Sequence, residues 1–188
     1  MHQTMRIIAL IVCLVGSRFA FAADKEIYLT EDYVLVPNDN IVISIHDKFN
    51  LTHFRNKFIN KSNYRIQLGY MMEDGVGEFL NIFYDDKLFI RIFGDLKTKR
   101  IEEILTESNN AFGPSGTKTG DNIISSVGKF LRCNFELYSF CEDPSVPEIR
   151  YYAECPEAES KNYRDYLLGD CSEIVAMSLS RHALKDAQ

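Results

Sequence analysis

Apolar and polar residues alternate along most of this chain, and a two-residue period is typical of β-strands with one buried face. The clearest case is residues 64–69, where Tyr64, Ile66 and Leu68 alternate with more polar neighbours. Clusters of Asn, Asp and Pro, such as residues 37–40, separate the alternating segments and predict turns. The pattern predicts strands over residues 33–36, 41–45, 64–69, 79–84, 88–93, 129–141 and 148–155.

Three segments depart from this period. Apolar residues recur at helical spacing among charged residues between Leu96 and Leu105, which predicts one short surface helix over residues 97–108. Residues 46–63 are polar and predict a long loop or an irregular edge. Residues 173–179 fit a strand and the beginning of a helix equally well, and the pattern leaves both open.

The order of these elements predicts a mostly β fold. Many short strands at regular spacing, with little helix, are typical of an antiparallel β-sandwich. No internal repeat, low-complexity tract or interdomain linker interrupts the pattern. We therefore expect residues 23–188 to form a single domain with one short helix.

The first two dozen residues predict export. Arg6 precedes an apolar run over residues 7–15, and Ala20 and Ala22 supply the small residues that a signal peptidase reads. An apolar run of this length is too short to span a bilayer. We expect a signal peptide over residues 1–22, a secreted, extracellular protein and no membrane anchor.

The charge balance is acidic. The chain has 21 basic and 27 acidic side chains, for a formal net charge of −6. A negative surface repels nucleic acid phosphates and anionic lipid headgroups, so neither is an expected partner. Apolar residues make up 46% of the chain, which is enough for a core, and Trp is absent.

Cysteine usage fits the predicted export. Cys133, Cys141, Cys155 and Cys171 follow the predicted signal peptide. An even number of cysteines in an exported chain predicts two disulfides. A four-thiolate zinc site is the alternative, but no Cys-x-x-Cys pair is present, so we predict no metal site.

The predicted strands constrain the disulfide pairing. If residues 129–141 form one strand, the Cα atoms of Cys133 and Cys141 lie about 27 Å apart, whereas a disulfide tolerates no more than about 7 Å. The turn that follows would set Cys133 opposite Cys155 on the next strand. We therefore expect the pairs Cys133–Cys155 and Cys141–Cys171.

Two glycosylation sequons lie in the polar segment that precedes residue 64. Asn50 and Asn60 each begin an Asn-x-Ser/Thr tripeptide. In a secreted chain such tripeptides mark exposed positions, so we predict glycans on both side chains.

No set of residues has the spacing of a known catalytic site. His46, His53 and His182 do not fall in a metal-binding motif, and the nucleophile motif Gly-x-Ser-x-Gly is absent from the sequence. We interpret these residues as solvated surface histidines.

Acidic pairs and a glycine-rich segment also fit structural roles. Residues 85–86 are predicted at a hairpin tip, residues 102–103 on a solvated helix face, and residues 142–143 in a turn. None has the ligand spacing of a calcium loop. Residues 113–120 lack the order of a phosphate-binding loop and predict a flexible loop. We therefore predict no catalytic residues, no cofactor and no enzymatic activity.

The order of the strand motifs resembles that of the galectin family. The resemblance implies a jelly-roll β-sandwich in which a turn and a strand are followed by the strands that carry the sugar-binding residues. The segments that carry the resemblance are residues 37–43, 64–69, 79–83, 134–138 and 170–175.

The sequence departs from galectins at the sugar-binding positions. Aligning Phe83 with the phenylalanine of that family's His-x-Asn-x-Arg element places Ile82, Tyr84 and Asp86 where histidine, asparagine and arginine are expected. The tryptophan that stacks on galactose in the family has no counterpart here. The resemblance therefore implies a related scaffold without the usual β-galactoside site, and fold alone does not transfer function.

These features favour a non-enzymatic binding protein in the extracellular space. The expected ligand is a glycan or an extracellular protein, held by loops at the edge of the sandwich. A secreted modulator that binds a receptor or host factor, without sugar binding, is the alternative. A secreted hydrolase ranks third, because the sequence brings no acid, base and nucleophile together.

Overall fold

The computed structural model describes residues 25–71, 77–95, 97–127, 132–134, 140–154 and 173–181. The predicted signal peptide, Cys155, Cys171 and His182 lie outside these residues. Within the described part of the chain, no helix is long and apolar enough to cross a bilayer.

The described residues form short strands, two short helices and two single 3-10 turns. The strands are β1 (Ile27–Leu29), β2 (Tyr33–Val36), β3 (Ile41–Ser44), β4 (Tyr64–Met71), β5 (Gly77–Tyr84), β6 (Lys87–Asp95), β7 (Arg100–Thr106), β8 (Ala111–Phe112), β9 (Arg132–Asn134), β10 (Phe140–Asp143), β11 (Val146–Glu154) and β12 (Glu173–Ser180). The helices are α1 (Leu51–Lys57) and α2 (Ile123–Val127), and the 3-10 turns are Pro37–Asp39 and Pro114–Gly116.

Among the described residues, the strands build two sheets. The smaller has four strands in the order β3-β2-β1-β8, and the larger has eight in the order β4-β5-β6-β7-β12-β11-β10-β9. All pairings are antiparallel except that of β1 with β8. The prediction of a mostly β, antiparallel sandwich is confirmed.

One apolar core joins the two sheets. Ile27 and Ile43 of the smaller sheet are fully buried in the same cluster as Ile82, Ile92 and Leu179 of the larger sheet. The four isoleucines alternate with more exposed neighbours on their strands, as a two-residue period requires, whereas Leu179 lies in a stretch of β12 that is buried on both faces. Burial of one such side chain contributes about 1.5–3 kcal/mol. The shared core therefore fixes how the sheets stack.

The helix predicted over residues 97–108 is wrong. Residues 97–99 form a turn, and Arg100–Thr106 form β7. The register shifts where Phe93 pairs with Glu103 and Gly94 pairs with Ile101, so a β-bulge lies in this strand. A bulge inserts an extra residue and brings positions three apart to one face of a sheet, which imitates helical spacing.

The helix that does form lies in the segment predicted as a loop. Asn50 begins α1, and its side-chain carbonyl accepts hydrogen bonds from the backbone N–H of Thr52 (2.8 Å) and His53 (3.2 Å). A side chain at this position satisfies N–H groups that have no partner within the helix, which is worth about 1 kcal/mol. Both predicted glycosylation positions, Asn50 and Asn60, are exposed.

The C-terminal strands differ from the prediction in one respect. Glu173–Ser180 form a strand, which settles the alternative left open by the sequence. The single strand predicted over residues 129–141 is wrong, because β9 and β10 run antiparallel and pair Cys133 with Cys141. Strand β10 also separates β9 from β11. The geometric argument for pairing Cys133 with Cys155 therefore fails.

Two lysines cover the outer edge of β3. Lys57 Nζ donates to the carbonyl of Val42 (2.7 Å), and Lys61 Nζ donates to the carbonyl of Asp39 just before the strand (2.7 Å). Among the described strands β3 is the last of its sheet, so the carbonyl of Val42 faces no neighbouring strand in this part of the chain. Charged side chains at such an edge are a common protection against pairing with another chain.

Candidate functional site

A cavity of about 760 Å³ opens where the loop after β3, the β6–β7 turn and the end of β12 meet. The size lies within the range of small-molecule binding pockets. We call it the basic pocket. Its lining residues are His46, Asp47, Lys48, Asn50, His53, Thr98, Lys99, Arg100 and Arg181.

Backbone contacts hold the first two of these segments together. Phe49 N–H donates to the carbonyl of Lys99 (3.0 Å), and Lys48 forms an isolated β-bridge with Arg100. The Phe49 ring is fully buried against Gly94, where an added Cβ would lie 2.3 Å from Phe49 Cγ. Because only glycine leaves room for this ring, Gly94 of β6 sets the position of the loop that carries Phe49.

Arg181 ties the third segment to the other two. Its Nε donates to the carbonyl of Ile101 (2.9 Å), and its Nη2 donates to the carbonyl of Ile45 (2.5 Å). Its backbone N–H donates to the carbonyl of Glu102 (2.9 Å). Both guanidinium partners are neutral carbonyls, so these bonds orient the positive charge without cancelling it.

Cations outnumber acids in the lining. Lys48, Lys99, Arg100 and Arg181 face a single acid, Asp47. A chain with a net charge of −6 therefore carries one concave surface of positive charge. Low-dielectric walls concentrate the field of such a cleft and raise the local concentration of anions.

The lone acid of the lining is itself neutralised. Asp47 Oδ2 accepts from Lys57 Nζ (2.5 Å) and from the backbone N–H of Ser44 (3.0 Å). Its other oxygen lies 3.4 Å from Nε2 of His53. Asp47 therefore holds the loop to α1 and does not remove the positive charge of the pocket.

The structure brings together two histidines that the sequence analysis interpreted separately. His46 is exposed, with 66% of its side chain accessible, and its Nε2 lies 3.6 Å from Asp32 Oδ1. His53 is 38% exposed. Both line the basic pocket, which the spacing of seven residues did not indicate. Among the described residues, no group of three or more His, Cys, Asp or Glu side chains could hold a metal ion.

The sequence analysis does not bring the lining residues of the basic pocket together as one candidate site. The sequence pattern places Thr98, Lys99 and Arg100 in the predicted helix and Lys48 in the polar segment that carries both sequons. The one signal available was the density of cations in residues 97–100 of an acidic chain.

The acidic pairs fall in different environments. Asp86 is 90% exposed at the β5–β6 hairpin tip, as predicted. Glu103, predicted on a solvated helix face, instead accepts hydrogen bonds from the hydroxyls of Tyr152 (2.6 Å) and Ser178 (2.5 Å) on the large sheet. That prediction is wrong because the segment is a strand.

Arg150 links the partly buried Glu103 to a fully buried acid. Arg150 Nε donates to Oε1 of Glu142 (3.2 Å), which is fully buried, and Nη1 lies 3.6 Å from Oε2 of Glu103. Burial, together with the charge and hydrogen bond of Glu103, raises the pKa of Tyr152. Tyr152 therefore stays protonated as a donor. Because every polar side chain here has a partner, we assign this network to the stability of the sheet.

Two of the positions aligned with the galectin sugar site lie in the packed part of the larger sheet. Ile82 is fully buried in the core. Tyr84 is half-buried with its ring against Tyr64 and Phe89. These two side chains contribute to the packing of the core.

Comparison with known proteins gives a fold likeness. No family model matches the chain, and no curated protein matches it. A solved structure, that of the uncharacterized protein YfeY from Escherichia coli, is similar with a TM-score of 0.56 and 16% sequence identity. The match covers 74% of this chain and 93% of that chain. At this identity the likeness supports the β-sandwich alone and does not extend to galectins.

Proposed function

We propose that this is a secreted, non-enzymatic binding protein whose basic pocket binds an acidic glycan. The glycan would carry a carboxylate or sulfate group on a sugar ring. The galectin resemblance stays a prediction, and the proposal does not depend on it. The ligand is held by loops at the edge of the sandwich.

The excess of positive charge in the basic pocket carries the proposal. Lys48, Lys99 and Arg100 are exposed around the cavity, and Arg181 is fixed at one side of it by neutral carbonyls. Like charges converging on one cavity repel each other unless an anion enters between them. The acidic balance of the whole chain makes such a cluster more unusual than it would be in a basic protein.

The shape and the remaining polar groups favour a sugar over a flat protein surface. A cavity of about 760 Å³ matches a ligand of a few rings, whereas most protein–protein interfaces are broad and shallow. Thr98 supplies a hydroxyl group beside the cations. A sugar that carries an anionic group presents hydroxyls and a charge together, which fits this mixture.

Binding to a panel of sulfated, uronate-containing and neutral glycans tests the proposal. We expect saturable binding to anionic members that weakens as salt is raised, because ions screen exposed charges. Lys48→Gln and Lys99→Gln should each lower affinity about 2–5-fold, which corresponds to exposed charge contacts of up to about 1 kcal/mol.

Arg55→Gln is the matched control. Arg55 is an exposed cation of α1 that does not line the basic pocket. Equal losses in all three variants would mean that binding follows net charge and not this site. Failure to bind any glycan would overturn the proposal and favour the modulator of a receptor or host factor. Turnover of a bound glycan would favour the hydrolase.

A further inference from the structure

We propose that Cys133 and Cys141 form a disulfide that closes the β9–β10 hairpin. The inference is independent of the proposed ligand. It replaces the pairing expected from the sequence, since that pairing depended on a single strand that the structure does not contain.

The strand register carries the inference. Asn134 pairs with Phe140, Cys133 with Cys141, and Arg132 with Glu142. Cα atoms of directly opposed residues in an antiparallel pair lie about 4.5–5.5 Å apart. Disulfides span Cα separations of about 4.4–6.8 Å. The backbone therefore offers a spacing that a disulfide requires, between residues only eight positions apart.

The position of Cys141 in the sheet gives one end of the bridge a sheltered environment. Cys141 is fully buried and lies in register with Tyr151, which lies in register with Met177. Tyr151 and Met177 are both buried in the core cluster. The Cys141 end of the bridge is therefore shielded from solvent, so we expect slow reduction in the native protein.

Formation of the bond is an oxidation that needs a partner. The thiolate of one cysteine attacks a disulfide of an oxidant, and one oxidant thiol leaves. The thiolate of the second cysteine then attacks the mixed disulfide and releases the other oxidant thiol. Two cysteine thiols thus lose two electrons and two protons in total, and the oxidant disulfide becomes two thiols. A dithiol–disulfide exchange protein of an oxidising compartment is the class of oxidant required.

The sequence makes the test direct. Trypsin cleaves after Arg132 and Arg150, so Cys133 and Cys141 lie on one tryptic peptide, while Cys155 and Cys171 lie on two others. We propose to block free thiols of the exported, unreduced full-length protein, digest it and analyse the peptides by mass spectrometry.

We expect peptide 133–150 to appear alone, unalkylated and lighter by two hydrogen atoms than its reduced form. Further cleavage after Glu136 should leave its two parts joined until reductant is added. A link from this peptide to the one that contains Cys155 or Cys171 would overturn the proposal. Alkylated, unpaired Cys133 and Cys141 in the exported protein would overturn it as well.

A variant separates this bridge from the other two cysteines. In Cys155→Ser/Cys171→Ser, we expect peptide 133–150 still to carry its internal bond, because the β9–β10 register does not need the substituted residues. Its loss in a variant that keeps the native circular dichroism spectrum would contradict the proposal. If the variant does not fold, the map of the natural protein remains decisive.

Discussion

At the scale of single residues, the contact between Gly94 and Phe49 positions the basic pocket. A Cβ added at Gly94 would lie 2.3 Å from Phe49 Cγ and 2.7 Å from the carbonyl oxygen of Arg100. We expect Gly94→Ala to lower the free energy of unfolding by about 1–3 kcal/mol, because the ring and a backbone strand must both shift. Urea denaturation measures the change.

A double-mutant cycle isolates the cause of that loss. Phe49→Leu combined with Gly94→Ala should lose less stability than the sum of the two single variants, since the smaller side chain leaves room for the methyl group. Strict additivity of the two losses would show that the ring and the glycine are not coupled.

Asp39 makes the stability of the fold depend on pH. Burial on its own raises the pKa of Asp39, but hydrogen bonds from Lys25 and Tyr64 and the charges of Lys25 and Lys61 outweigh it, so the pKa lies below the ordinary value of 3.8. A carboxyl whose pKa is lowered by folding stabilises the folded state at pH values above the pKa that it has in the unfolded chain. That stabilisation is lost as the pH falls through the folded pKa.

We expect Asp39→Asn to be less stable than the natural protein at pH 7 by about 1–3 kcal/mol, a typical range for hydrogen bonds to a charged group. The difference should shrink as the pH falls below 3.8, because the natural side chain becomes neutral. Denaturation at several pH values tests this. Asp86→Asn, at a side chain that is 90% exposed, is the control and should show little difference at any pH.

Residue-level chemistry was the part least accessible from sequence. Lys25 and Asp39 are an ion pair 14 positions apart, and Arg181 donates to Ile45 across 136 positions. Periodicity reports which face of an element is buried, but it does not report which distant element lies opposite. The sequence shows His46 and His53, but it does not show that both line one pocket, because that pocket depends on such long-range contacts.

At the scale of elements, alternation located most strands because each has one face in the core. Residues 64–68 and 79–83 follow this rule closely. Strand β7 does not, because its bulge places buried Ile101 and Ile104 three positions apart, which a strict two-residue period forbids. α1 escaped prediction for a different reason. It is short, and Phe54 is its single fully buried residue, so it carries almost no apolar periodicity.

At the scale of the whole molecule, the two-sheet architecture could be predicted, whereas the basic pocket could not. Strand count and the scarcity of helix are properties of composition and local pattern. The pocket instead depends on three segments that meet only after the sheets have stacked. The net charge was also a poor guide to the pocket, because a total of −6 conceals a local excess of cations.

The lysines beside β3 have a consequence for how separate copies of this protein behave at high concentration. Without Lys57 and Lys61, the carbonyls of Val42 and Asp39 would be open to N–H groups of another molecule's strand. We expect Lys57→Gln/Lys61→Gln to self-associate as concentration rises, seen by light scattering, while Arg55→Gln stays dispersed. A doubly substituted protein that stays monodisperse would refute this. Two lysine side chains, one at the end of α1 and one four residues after it, would separate a freely diffusing protein from one that polymerises through its own sheet.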